Sequence, residues 1–136
     1  MEMRLTPVCH AIDVATPAEG ERLRLSVDKQ VLRLERLRYA GGRIRTFERS
    51  VLPFHRLPGI QVDRAQHLTL PEIAEEFGLE LGKATERISI ACAPPEIAHR
   101  LEIDHTQHIL LIDRVTTTVD DAPIEWCVVY AMEMSS

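Results

Sequence analysis

The chain has 136 residues, of which 45% are hydrophobic and 27% charged, with a formal net charge of −5 and a pI near 5.7. That length holds one domain burying about two-thirds of the surface its unfolded form exposes, and the acidic balance argues against gripping nucleic acid through a basic face. No apolar run approaches the roughly 20 residues that cross a bilayer, and MEMRLTPVCH carries no signal-peptide pattern, so the reading is a cytoplasmic protein with no membrane partner.

Residues 4–15 (RLTPVCHAIDVA) read as an extended segment. Thr16-Pro17-Ala18-Glu19 is a capping box with proline at the first helical position, which predicts a short helix to about Leu25. Val31 to Tyr39 reads as a strand, Gly41-Gly42 as its turn and Ile44 to Pro53 as the returning strand. His55 to Gln66 reads as a surface loop. Thr69-Leu70-Pro71-Glu72 is a second capping box, opening a helix through Phe77 that Gly78 ends in the left-handed region. Thr85 to Cys92 reads as a strand, Pro94-Pro95 opens another short helix, Ile109 to Val119 is the longest predicted strand, and Asp120-Asp121-Ala122 turns it back into Pro123 to Met132. Six strands joined by hairpins, with three helices, predict an α+β domain.

One unit occurs twice. Residues 17–36 align without gaps to residues 95–114, with identities at Pro17/Pro95, Arg22/Arg100, Leu23/Leu101, Leu32/Leu110 and Arg36/Arg114. Composition alone gives about one identity in twenty positions. Each copy reads as a helix followed by a hairpin whose first strand carries an arginine. Two such units paired into one sheet would turn those arginines toward a shared cavity.

Arg36 and Arg38 leave the same face of their strand, behind Leu32 and Leu34. An apolar floor ending in two guanidiniums suits a small anion, because arginine offers planar bidentate donors; the alternative is a solvated basic edge paired with nearby acids. Thr69 is an N-cap by default, and a hydroxyl there could also touch a ligand. Glu48 and Glu125 lie on the two returning strands, where a carboxylate either accepts ligand hydroxyl or amino protons or sits exposed. A two-residue Gly41-Gly42 loop pairs Arg36 with Phe47 and sends Glu48 to the other face. A three-residue Ala40-Gly41-Gly42 loop with a bulge pairs Arg36 with Thr46 and brings Glu48 to the arginines. Cys9, Cys92 and Cys127 sit in apolar strand-like runs and read as buried reduced thiols. His105 and His108 have no cysteine or carboxylate cluster at metal spacing, no Ser-His-Asp arrangement is legible, and neither a metal, a cofactor nor a catalytic residue is expected.

The run LEIDHTQHILLIDRVTTTVDDAPIEWCVVY resembles the UTRA domain, the effector-binding module of GntR-type (HutC subgroup) bacterial transcription regulators. VLRLERLRYAGG, FERSVLP, the Leu57-Pro58-Gly59 loop and the helix ending Glu-Glu-Phe-Gly-Leu are similar in order and spacing. The resemblance implies a chorismate-lyase-like fold, a six-stranded antiparallel sheet with helices against it, over residues 1–136. It also implies a homodimeric regulator, such as a repressor, whose small anionic metabolite effector is often a sugar phosphate. Operator DNA would be met only through a winged helix-turn-helix domain that this chain does not include. Carried over by position, Arg36 and Arg38 would hold the acidic group with Thr69 near it, Glu48 and Glu125 would read hydroxyl or amino groups, and Tyr130 would be an aromatic neighbour. Two departures are visible: Pro71 stands about where several members place a phosphate-contacting tyrosine, and the chain ends VVYAMEMSS rather than in an Arg-Gly-Asp-Arg-Tyr type of sequence. Glu125 and Tyr130 are five apart, so a straight strand points them to opposite faces. The alternative from another class is a chorismate-lyase-like enzyme acting on an enolpyruvyl carboxylate.

Overall fold

Apolar side chains occupy both parities of QVLRLERLRYA, with Val31 and Leu37 on one and Leu32 and Leu34 on the other, the pattern of a strand covered on two faces. In the computed structural model, which describes residues 3–26 and 28–132, this strand belongs to a six-stranded antiparallel sheet. The strands are β1 (Met3–Val14), β2 (Gln30–Ala40), β3 (Arg43–Pro53), β4 (Leu81–Cys92), β5 (His108–Thr118) and β6 (Pro123–Ala131), in the order β1-β2-β3-β6-β5-β4. The helices are α1 (Pro17–Arg22), α2 (Val62–Ala65), α3 (Leu70–Glu76) and α4 (Pro95–Leu101), with a 3-10 turn over Phe54–Arg56. The α+β architecture is the one expected.

The internal duplication is longer than a helix and a hairpin. β1 and β4 span 3–14 and 81–92, β2 and β5 span 30–40 and 108–118, and α1 and α4 start at Pro17 and Pro95, so every matched position lies 78 residues on. Two β-α-β-β units therefore meet at β3 and β6, antiparallel neighbours at the middle of the sheet, and a pseudo-twofold axis between those strands relates them. Both hairpins carry an irregularity at the matched place: the register shifts between Arg38 and Tyr39 in one and between Thr116 and Thr117 in the other. The extra residue is Arg45 in β3 and Ile124 in β6.

Helices α1 and α4 cover one face, and each packs over a strand of the other unit. Leu23, at the end of α1, joins Val31, Val51 and Trp126 of β6, while Ile97, Ala98 and Leu101 of α4 pack on Phe47 of β3 and on Ile109. Both expected capping boxes are formed, by Thr16 with Glu19 and by Thr69 with Glu72. Glu19 also accepts hydrogen bonds from Arg33 Nε and Nη2 at 2.8 and 2.7 Å, fastening α1 to β2. On the opposite face, residues 54–79 lie mainly over the first unit and reach Ile124 of β6. Leu57 and Ile73 lie on Leu32, Leu34, Leu52 and Ile124, with Phe54, Leu70 and Phe77 at the margin. Each fully buried leucine or isoleucine of this kind contributes roughly 1.5–3 kcal/mol. Gly78, at φ 64°, closes α3 with the Leu79 N–H on the Ala74 carbonyl and the Gly78 N–H on that of Glu75, the Schellman arrangement.

Three expectations are corrected. The segment His55 to Gln66 is not a bare loop: it holds part of the 3-10 turn and all of α2. The longest strands are β1 and β4, not the one after Ile109. Only Cys127 is buried; Cys9 and Cys92 are exposed, because β1 and β4 are the two edge strands and both lie largely in solvent.

Candidate functional site

The face of β2 that buries Leu32 and Leu34 under α3 continues to Arg36 and Arg38, where the cover stops and a cavity of about 420 Å³ opens. A volume of that size suits a small metabolite. Its floor runs across four strands: Arg36 and Arg38 of β2, Thr46 and Glu48 of β3, Glu125, Cys127 and Val129 of β6, and Arg114 and Thr116 of β5. Leu81, Ala84 and Glu86 of β4 and the Thr69-Leu70-Pro71 start of α3 form the walls.

The bulge at Arg45 is what brings Glu48 here. Neither strand pairing considered from the sequence occurs. The turn is the two-residue Gly41-Gly42 turn, with φ of 60° and 75°, the mirror-image geometry that glycine permits. The irregularity lies inside β3, so Arg36 pairs with Glu48 rather than with Phe47 or Thr46, and paired residues share a face. The matched bulge at Ile124 pairs Glu125 with Thr116 and sets Glu125 beside Cys127 and Val129 on the same floor.

Electrostatically, Glu48 is the hub. It is 6% exposed, its Oε2 accepts from Arg38 Nε at 3.1 Å, and its Oε1 lies 3.7 Å from Arg36 Nη2. Arg36 is only 2% exposed, and its Nη1 donates to the carbonyl of Leu68, with those of Ala65 and Gln66 at 3.5 and 3.4 Å. Its guanidinium thus holds the α2–α3 connection on the sheet, a positioning task that the sequence reading did not foresee. Arg38 is half-buried, and among the described residues its side chain bonds only Glu48, through Nε. Burial pushes the Glu125 carboxyl above its ordinary range, against the opposing pull of Ser50 and Arg36. Burial, followed by Glu125 and Glu48, pushes the Cys127 thiol up to about 12.

Thr69 lines the wall, but its hydroxyl is committed to the cap: Oγ1 accepts from Glu72 N at 3.4 Å and donates to Glu72 Oε1 at 2.9 Å. Tyr130 does not join the group. Its ring packs against Phe47, centroids 6.2 Å apart, in the cluster under α4 on the other face. The bulge in β6 precedes Glu125, so β6 runs straight from Glu125 to Tyr130 and their five-residue spacing opposes them. Thr116, Thr46 and Glu86 were not foreseen as site residues; Arg114, the counterpart of Arg36 in the repeat, was expected to face the cavity but was not counted among the ligand contacts.

Three buried side-chain polar atoms have no hydrogen-bond partner among the described residues: Arg36 Nε, Thr46 Oγ1 and Arg114 Nε. All three belong to residues that line this cavity. Arg114 Nε does lie 3.3 Å from Glu86 Oε1, outside hydrogen-bonding geometry. Buried polar atoms without partners are rare and costly, and the gathering of three such residues along one cavity singles it out as a candidate site for an oxygen-rich guest. Among the described residues no group of three His, Cys, Asp or Glu side chains could hold a metal ion, and no helix is long and apolar enough to cross a membrane.

The family model described as UTRA domain matches residues 6–132. A transcriptional regulator of the GntR family from Enterococcus faecalis V583 superposes with a TM-score of 0.86 at 22% identity, over 97% of this chain and 98% of that one. The effector domain of PhnF from Mycobacterium smegmatis gives a TM-score of 0.88 at 22% identity, over 99% and 88% of the two chains. PhnF itself gives 0.88 at 23% identity, over 98% of this chain but only 61% of that one.

Proposed function

This chain belongs to the UTRA domain family, and from that membership we propose that it senses a small anionic metabolite on behalf of a DNA-binding transcription regulator of the GntR type. The observation that carries the reading is that Arg36, Thr46 and Arg114, each with an unpartnered buried polar atom, line one cavity of metabolite size. The ligand's acidic group meets Arg38, which has terminal nitrogens to spare, while Glu48 and Glu125 accept from its hydroxyl or amino groups. Arg36 and Thr69 shape the wall rather than supply the main contacts. In the working regulator two copies pair, and the operator is held by a DNA-binding domain outside this chain. The ligand changes operator affinity to the extent that it binds one dimer geometry better than the other. The residues are arranged for holding rather than for turnover, which favours a sensor over an enolpyruvyl-processing enzyme; the setting is the cytoplasm.

The test is a thermal-shift screen of acidic metabolites on the wild-type chain and on Arg38→Met. A true effector at roughly a hundredfold excess over its Kd stabilises the wild type by about 2.7 kcal/mol, and the effect is lost in the variant. If no acid raises the melting temperature, or if every hit works equally on Arg38→Met, the proposal is wrong.

A further inference from the structure

Six ionisable side chains line the cavity, and they balance: Arg36, Arg38 and Arg114 against Glu48, Glu86 and Glu125. They are not equally available. Arg36 and Arg38 share Glu48, so this trio carries one net positive charge. Arg114 is ion-paired with Glu86, whose side chain is exposed on the edge strand β4, and also lies near Glu125. Glu125 is 6% exposed on the floor, among Arg36, Glu48, Arg114 and Cys127, and its burial favours the uncharged acid. The surplus is a single positive charge, at the Arg38 end.

The unpartnered donors divide between two ends. Arg38 and Thr46 are directly opposite each other in the β2–β3 ladder, so their side chains rise from neighbouring positions on the same face, and both residues line the cavity. Across β3 and β6, Arg114 carries the other unpartnered N–H, on the strand of the second unit that corresponds to β2. We propose that the cavity takes a singly charged hydroxycarboxylate, its carboxylate on Arg38 and Thr46 and a hydroxyl or carbonyl oxygen at its far end on Arg114, in preference to a phosphate ester. This rests on the effector-binding reading given above and specifies its ligand class. A phosphate ester brings about −1.5 to −2 charges at neutral pH, which one surplus positive charge does not balance. A far-end oxygen instead meets the partly exposed guanidinium of Arg114 without adding charge.

The experiment follows the arginine Nε–H signals of the ¹⁵N-labelled wild-type chain during titration with acetate, with the series glycolate, glycerate and gluconate, and with inorganic phosphate at about pH 8, where phosphate is mostly dianionic. Acetate is expected to move Arg38 alone. At least one of the longer hydroxy acids should move Arg38 and Arg114 together and bind about tenfold tighter than acetate, the worth of one added charge-assisted hydrogen bond. Arg114→Gln should weaken that longer acid by clearly more than it weakens acetate, so that the tenfold gap between them closes. Phosphate binding more tightly than acetate at Arg38 would overturn the charge argument and leave an anion sensor standing. An Arg114 signal unmoved by the whole hydroxy-acid series would overturn the two-ended geometry. If no anion moves any arginine of the cavity, the effector-binding reading itself fails.

Discussion

Replacing Arg36 by methionine separates holding the fold from holding a ligand. The guanidinium is 2% exposed, donates to the Leu68 carbonyl and lies 3.7 Å from Glu48. Methionine fills most of the volume but donates nothing. Breaking a buried ion pair by removing one partner costs about 3–5 kcal/mol, and Glu48 keeps Arg38, which places this contribution at the lower end. The Leu68 carbonyl, left without its donor, adds about 1–3 kcal/mol. A total of about 4 kcal/mol follows, a large share of the roughly 5–15 kcal/mol that holds a domain of this kind together. Arg38→Met is the control: its side chain is 29% exposed and makes one hydrogen bond, so its removal should cost about 1 kcal/mol or less. Urea unfolding followed by circular dichroism measures both. Equal losses in the two variants, or a loss below about 1 kcal/mol for Arg36→Met, would refute the assignment of Arg36 to the α2–α3 connection.

A β-carbon on Gly82 would lie 2.7 Å from the Thr118 carbonyl oxygen and 2.9 Å from its carbon, so Gly82→Ala should cost about 1–3 kcal/mol; Gly20→Ala, in α1 with nothing within 4 Å, should instead stabilise by about 0.5–1 kcal/mol. Chemical denaturation of both variants checks the contrast, and losses of equal size would be inconsistent with it. Glu125 has a raised pKa in the folded state, so the native protein binds its proton more tightly than the unfolded chain, and stability falls as pH rises from about 4.3 through the native pKa. Glu125→Gln removes that loss. The stability of the variant minus that of the wild type should grow between about pH 4 and 8, and a flat difference would count against a buried, proton-holding acid. A thiol reagent should find two reactive cysteines in the native protein, Cys92 ahead of Cys9, whose thiol is held up by burial and by its hydrogen bond to Glu35. Cys127 should react only on unfolding; its modification in the native state at the rate of Cys92 would contradict the structure.

What could be read from the sequence was local or repeated. The two capping boxes were legible because donor and acceptor lie three residues apart, and the sheet followed from alternation and glycine turns. α2 was missed because Gln61 gives it no side-chain cap; the turn is fixed by burial of Ala65 and packing of Val62, which are tertiary facts. Whether Glu48 faced the arginines depended on a bulge at Arg45, and no glycine marks that position. Arg36 looked like a ligand hook because nothing in the sequence shows that carbonyls from residues 65–68 arrive beside it. Arg114 was within reach: the alignment with Arg36 already said that the second unit would present a guanidinium to the same floor.

Among the described residues, the ladder between β3 and β6, Thr46–Val51 against Trp126–Ala131, is the shortest of the five and the only one that joins the two units. On one face α1 and α4 cross it like straps, and Arg22 of α1 is ion-paired to Asp113 of β5. On the other face α3 reaches Ile124 of β6 at one end of the seam, and the cavity floor runs across the rest. A guest gripping Arg38 on one side and Arg114 on the other would act as a rivet over that seam, stiffening the torsion of one half against the other. Whatever is joined to the two halves would then feel occupancy as a change in their mutual twist, without any strand having to break.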